Sequence, residues 1–307
     1  MDYPKIVFLG TPLFAVASLQ ALVDNGFPVV AVVTAPDKPA GRGLKVGVSA
    51  VKEYAFGKNI PVLQPLKLKD PEFLTLLKSY GADIQVVVAF RMLPERVWNM
   101  PPLGTVNLHG SLLPQYRGAA PINRAIMQGE QRTGVSTFKL QQEIDTGSIL
   151  LQEEIPIGPN ETAGELHDRM KVIGAAMVVQ TIRDMMQGSF TGKPQPVMSA
   201  GDLKMAPKIF AEDCLINWSD PVRKIHNQIR GLSPYPGAFT SFKEKMLKIF
   251  LGRPEKASHS GAIGAMETDG KTWLRFSASD GFIYVEDLQL EGKKRMPVTE
   301  FLRGYRP

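Results

Sequence analysis

Apolar positions change period several times along this chain, and the changes outline its fold. KIVFLG (5–10) and FPVVAVVT (27–34) are continuous apolar runs, and TPLFAVASLQALVDNG (11–26) between them has helical spacing closed by Asn25-Gly26. Strands without alternation are buried on both faces, so this opening predicts a βαβ unit in a parallel sheet covered by helices. The pattern continues through VKEYAFGKN (51–59), DPEFLTLLKSYG (70–81), DIQVVVAF (83–90), a strand entering Asn107, and the helical PINRAIMQGE (121–130). From Thr133 onward, GVSTFKLQ and SILLQEEIPI alternate as antiparallel strands do, flanking a turn at Asp145-Thr146-Gly147. A helix is expected from about 162 to 187, with Thr162 and Glu165 in capping-box spacing.

Residues 189–208, SFTGKPQPVMSAGDLKMAPK, have no period and read as a linker. Beyond them come a short strand ending at Trp218, a helix over 220–232, and short alternating segments at 238–251, 261–266, 272–276 and 281–290. Turns every ten residues or so favour a small barrel over a sandwich. The expected architecture is α/β: a doubly wound, mostly parallel sheet over 1–189, the linker 190–208, and an antiparallel barrel of the oligonucleotide-binding type over 209–307.

Composition narrows the function. The 307 residues are 44% apolar with no run of transmembrane length, so the expected protein is soluble with two cores and no membrane role. MDYPKIVFLGTP lacks the basic region and cleavage site of a secretory signal, and the single cysteine, Cys214, has no internal partner. A reducing cytoplasm is the expected location, and the scattered histidines show no HxxxH or CxxC spacing for a metal. The net charge of +6 is uneven: residues 1–189 hold 18 basic and 17 acidic side chains, residues 190–307 hold 18 and 13. A basic last third suits a polyanionic partner. The turn Gly10-Thr11-Pro12 lacks GxGxxG, which disfavours a dinucleotide-binding dehydrogenase.

Chemistry concentrates in NLHGSLLPQYRGAAP (107–121), at the end of a predicted strand. Alternation sends Asn107 and His109 to one face and Leu108 to the other. An amide donor beside an imidazole meets two needs of acyl transfer: polarising a carbonyl and moving a proton. Asp145 is a candidate third member, to hold the imidazole and help an ordered water take a proton; Asp-x-Gly is also a common turn. Ser111 beside His109 raises a serine-hydrolase alternative, disfavoured because no GxSxG elbow is present.

The string Asn107-x-His109-x-Ser111-Leu112-Leu113-Pro114, with Asp145-x-Gly147 further on, resembles the formyltransferases that use 10-formyltetrahydrofolate, and the resemblance runs along nearly the whole chain. It implies that Asn107, His109 and Asp145 are catalytic and that Ser111, Leu112, Leu113 and Pro114 line the folate site. Val88, Ala89 and Phe90 match the family's other folate-contacting loop, from which Arg91 and Met92 depart where a glycine-containing loop is usual. APDKPAGRGLKVGVS (35–49) is read as a long loop that resembles the tRNA-contacting insertion of members acting on charged tRNA, making Lys38, Arg42 and Lys45 acceptor-stem candidates. Lys243, Lys245 and Lys248 lie in the basic stretch 242–256 and are expected to meet phosphates; solvated strand edges are the plainer alternative. IRGLSPYPGAFT (229–240) matches the family's helix-to-barrel junction, and His167, His226 and His259 are left as structural. The implied reaction passes the formyl group of 10-formyltetrahydrofolate to the α-amino group of initiator methionyl-tRNA, with no metal and no obligate protein partner. Rivals are a formyltransferase or formyl-folate hydrolase acting on a small molecule or water, and a non-catalytic RNA-binding protein.

Overall fold

The computed structural model describes residues 3–40, 45–188, 192–199 and 201–304. Contacts group the chain into two units, one of Met1–Arg117, Gly134–Ile155 and Asp168–Lys204, the other of Gly118–Thr133, Pro156–His167 and Met205–Pro307.

The first unit is built on the expected parallel sheet. Strand Ile6–Gly10 pairs in parallel with Val29–Val33 and Ile84–Val88, which pairs in parallel with Thr105–His109. Val62–Leu63 continues the parallel edge beside Val29–Val33. Every residue of Ile6–Gly10 and of Ile84–Val88 is buried, so both sheet faces are covered, as continuous apolar runs require. Helix Pro71–Ser79 packs Phe73 and Leu77 against Val7, Leu9, Val33 and Val87, while Leu13–Asp24 buries Phe14, Ala15, Leu19 and Leu22. The period change after Thr133 is a real change of direction: Arg132–Lys139 runs antiparallel to Thr105–His109, with His109 opposite Ser136, and Ile149–Pro156 completes that edge of the seven-stranded sheet. Helix Ala163–Met186 follows; at its start Glu165 accepts from the Thr162 amide at 2.8 Å, and the Thr162 hydroxyl accepts from the Glu165 amide at 3.3 Å.

The stretch 35–49 is not all loop. Lys38–Ala40 and Lys45–Gly47 form an antiparallel pair, and its base is held by Asp37, which takes an ion pair from Lys52 and a 2.8 Å hydrogen bond from Gln64. The Lys52 ammonium, then Gln64, holds the Asp37 carboxyl below its usual range.

The second unit carries the antiparallel sheet. Its order is Ala238–Phe242, Lys245–Lys256, Gly281–Leu290, Leu274–Ala278 and Met266–Thr268, with Met296–Pro297 paired to Gly281–Leu290. Register shifts around Leu251 curl the long central pair. Helix Val222–Leu232 contributes Ile225, Ile229 and Leu232 to a core shared with Leu247, Ile249, Phe276, Ile283 and Leu288. The sheet is thus curled around apolar side chains, and the segment before Trp218 is a short helix, Ala211–Cys214, with only a single bridge from Leu215 to Phe239. The expected short strand ending at Trp218 is thus replaced in part by helix, where Asp213 accepts the Phe210 amide at 2.9 Å and pairs with Arg124 at 2.8 Å. Helix Pro121–Met127 joins this core through Met127, with Asn123 donating to the Gly231 carbonyl at 2.7 Å. Gly231 permits the approach: a Cβ there would stand 2.6 Å from the Met127 side chain.

His226 lies on helix Val222–Leu232, 8% exposed. Burial first, then the charges of Arg230 and Arg223, pushes it from 6.5 down to about 4. Arg253 and Glu286 line the same cavity. A histidine kept neutral in the fold takes up a proton only on unfolding between these two values. Stability is therefore whole above about pH 6.5 and falls as pH drops towards 4, by at most about 3 kcal/mol from this group. The expected result is a urea midpoint that declines between pH 7 and 4.5 in the wild-type chain and declines less in His226→Leu; parallel declines would contradict the assignment.

Among the described residues no helix is long and apolar enough to cross a membrane, and no cluster of three or more His, Cys, Asp or Glu side chains is placed to hold a metal ion.

Candidate active site

The parallel strands Ile84–Val88 and Thr105–His109 end side by side, with Val88 in register with Leu108. In an open α/β sheet the crevice outside such carboxyl ends is where ligands bind. From one strand end comes Val88-Ala89-Phe90, from the other Asn107 to Pro114. The two segments singled out in the sequence as folate-contacting therefore start from neighbouring positions of one sheet edge.

Asn107 and His109 occupy the same face of their strand, while Leu108 is 4% exposed in the core. The Asn107 carboxamide is half-buried and has no hydrogen-bond partner among the described residues. His109 is 6% exposed, and its Nε2 lies 2.8 Å from the Tyr116 carbonyl oxygen. A carbonyl only accepts, so Nε2 carries the hydrogen and donates it. That leaves Nδ1 facing Asp145, whose Oδ2 is 3.8 Å away. Thirty-six residues of chain separate these two side chains in sequence, and the strands Arg132–Lys139 and Ile149–Pro156 bring the intervening turn back to the imidazole.

Three non-glycine residues at this place adopt the left-handed backbone: Ala89 at φ 48°, Tyr116 at φ 59° and Asp145 at φ 53°. Such conformations cost of order 1 kcal/mol or more each and persist where surrounding bonds impose them. At Tyr116 the result is a carbonyl aimed at Nε2; at Asp145 it is a carboxylate turned towards Nδ1. Gly147 closes the turn because a Cβ would strike the Lys139 carbonyl.

Ser111 is fully buried and donates its hydroxyl to the Gln115 carbonyl at 2.6 Å, which ties it to its own loop and gives the hydrolase alternative no support. Leu113 and Pro114 are buried and Leu112 half-buried, and the Leu113 carbonyl accepts from Gln152 at 2.9 Å. Ala89 is exposed and Phe90 half-buried. Arg91 fixes the next turn by donating to the carbonyls of Pro65 at 2.5 Å and Leu66 at 3.1 Å.

Of the predicted tRNA contacts, Arg42 falls outside the described residues, while Lys38 and Lys45 belong to the short antiparallel pair. Lys243 and Lys245 are exposed at the turn between two strands. Lys248 is half-buried and donates to the Pro236 carbonyl at 2.8 Å, so it braces the SPYPG junction. Sequence reasoning missed the roles of Tyr116, which acts through its carbonyl, and of Arg117 and Gln195, whose side chains bond to each other and to a distant turn; none of the three leaves a motif.

The sequence pattern described as "Formyl transferase" matches residues 4–182, and "Formyl transferase, C-terminal domain" matches residues 208–306. The chain belongs to the formyl transferase family. Within it, this formyl transferase is 50% identical to the methionyl-tRNA formyltransferase of Bacteroides fragilis over 98% of its own length and 95% of that protein's. In fold it is similar to the N-formyltransferase from Helicobacter canadensis solved with folinic acid and dTDP-3-aminofucose, with TM-score 0.67 and 21% identity over 95% of this chain and all of that one. HypX from Aquifex aeolicus, solved with tetrahydrofolic acid, matches with TM-score 0.66 and 17% identity over 98% of this chain. This formyl transferase spans about half the length of HypX, 47% of that chain.

Proposed function

We propose that this enzyme transfers the formyl group of 10-formyltetrahydrofolate to the α-amino group of initiator methionyl-tRNA, in the cytoplasm, and so prepares the initiator for translation. The observation that carries the choice of acceptor is the end-to-end likeness to a methionyl-tRNA formyltransferase at 50% identity. The geometry supplies the chemistry.

In this reading the amine attacks the formyl carbon. A C–N bond forms, the carbonyl oxygen gains negative charge, and the amine must lose a proton before the bond to N10 of the folate breaks and N10 is protonated. Asn107, whose carboxamide has no hydrogen-bond partner among the described residues, donates to the developing oxyanion. His109 is locked by its Nε2 bond to Tyr116 and presents Nδ1 as the nitrogen that works with Asp145. The Asp145 carboxylate, 3.8 Å from the ring, accepts the amine proton directly or through an ordered water.

The folate lies in the crevice between Val88-Ala89-Phe90 and Leu112-Leu113-Pro114. The exposed Ala89 at one strand end and the apolar Leu112-Leu113-Pro114 after the other fit a flat heterocycle with edge donors. Ser111, whose hydroxyl is committed to Gln115, shapes the loop rather than touching the ring. Residues 1–189 carry this chemistry and 209–307 add a basic surface for the tRNA, with Lys38, Arg42, Lys45, Lys243 and Lys245 meeting phosphates. Contacts of that kind position without reading bases, so the KM for tRNA should rise steeply with salt.

The test presents 10-formyltetrahydrofolate labelled in the formyl carbon together with charged initiator tRNA, a dTDP-amino sugar and glycinamide ribonucleotide. Label on methionine is the expected result. Label on either small amine, or released as formate, would assign the enzyme to one of the small-molecule or hydrolytic members; RNA binding with no turnover would remove catalysis altogether.

A further inference from the structure

The residues after 189 read as a linker, yet the described part of that stretch is fastened to both halves of the site. Lys193 and Ile149 exchange amide and carbonyl at 2.8 Å in each direction. Two residues on, the Gln195 side-chain amide donates to the Asp145 carbonyl at 2.7 Å and to the Gly147 carbonyl at 2.9 Å. Its oxygen accepts from Arg117, at 2.6 Å from Nη2 and 3.2 Å from Nε. One planar carboxamide thus uses both N–H groups on the turn that carries Asp145, and its oxygen on the residue following Tyr116.

The same strap holds Tyr116 from the other side. The Tyr116 amide donates to the Lys204 carbonyl at 2.6 Å, and Gln115 both accepts from the Lys204 amide at 2.7 Å and donates to the Asp202 carbonyl at 2.9 Å. Tyr116 and Asp145 are also the positive-φ residues that aim a carbonyl at His109 Nε2 and a carboxylate at Nδ1. Tyrosine disfavours that backbone and aspartate only tolerates it, so bonds from outside each turn help to hold both conformations.

We propose that Gln195 is a positioning residue for the transfer reaction: its carboxamide ties the Asp145 turn to the Arg117 side of the loop that orients His109, setting the separation of carboxylate and imidazole. This rests on the assignment of His109 and Asp145 given above. The chemistry demands glutamine in particular. An alanine removes the tie. A glutamate has the same shape and keeps, even strengthens, the bond to Arg117, but it has no hydrogen to donate to the Asp145 and Gly147 carbonyls and sets a charged oxygen against them. If Gln195 served only as filler or as a partner for Arg117, glutamate would replace it without loss.

The experiment measures steady-state formyl transfer for wild type, Gln195→Glu, Gln195→Ala and Asp145→Asn, with folinic acid binding and thermal midpoints recorded on each. Displacing a reacting group by an ångström or less costs up to about 100-fold, so kcat is expected to fall by about 10- to 100-fold in both Gln195 variants. KM for either substrate should stay within about threefold, because no substrate contact is removed. Midpoints should stay near wild type, since Gln195 is only half-buried. Gln195→Glu turning over within about twofold of wild type would overturn the proposal. So would a loss confined to KM, or one matched by a comparable loss of stability. If Asp145→Asn itself proved fully active, the failure would lie in the assignment of the carboxylate; if it were slow and Gln195→Glu fast, only the positioning role would fall.

Discussion

Asp145→Asn lowers kcat for formyl transfer by about 10²- to 10⁴-fold with the fold unchanged, the range associated with loss of a positioned general acid or base. The variant is informative because it is nearly isosteric and because asparagine tolerates the left-handed backbone that residue 145 adopts at φ 53°. The turn therefore survives, along with the Gln195 bonds to its carbonyls. What disappears is a negative charge 3.8 Å from His109 Nδ1 and an acceptor for the amine proton. His109→Ala should fall in the same range, but it also removes the buried hydrogen bond from Nε2 to the Tyr116 carbonyl. A lost hydrogen bond of that kind costs about 0.5 to 1.5 kcal/mol, so a modest drop in thermal midpoint is expected with that variant and not with Asp145→Asn. Rates measured at saturating folate and tRNA decide the matter: near-normal turnover in either variant removes the pair from the mechanism.

Asn107→Ala is expected to cost about 10²- to 10³-fold in kcat, corresponding to about 2.7 to 4 kcal/mol for a lost oxyanion donor. Stability should change little. The Asn107 carboxamide has no partner among the described residues, so its removal leaves no orphan behind. This separates it from a structural asparagine, whose loss would show first in the unfolding midpoint. KM should stay near its original value if the bond strengthens only as charge develops on the oxygen. A variant that raises KM at constant kcat would instead make Asn107 a ground-state contact.

Much of this was legible in the chain as written. Continuous apolar runs such as Ile6–Gly10 and Ile84–Val88 are buried on both faces in a parallel sheet, because only such strands lack a polar side. Alternation along Thr105–His109 placed Asn107 and His109 on one face, and the period change after Thr133 gave the antiparallel edge. The partnership of Asp145 with His109 was suggested by chemistry and selected by family resemblance, since nothing local ties residues so far apart. The contribution of Gln195 was not legible at all. Its bonds span 48 to 78 residues and end on two backbone carbonyls and one arginine side chain, so they impose no pattern that a local stretch of sequence would reveal. Lys248 carries a bond that its basic stretch does not announce, from its ammonium to the Pro236 carbonyl. The antiparallel pair at Lys38–Ala40 and Lys45–Gly47 escaped notice because Pro39 and the flanking glycines argue for a loop.

Imidazole and carboxylate act as one unit in this mechanism, and a double-mutant cycle on the transfer rate measures that most directly. Single-turnover formylation of initiator methionyl-tRNA is followed in His109→Ala, Asp145→Asn and the double variant. Groups that work through each other are not additive, so the double variant should be no more than about threefold slower than the slower single variant. Losses that multiply, as for two groups acting independently, would contradict it.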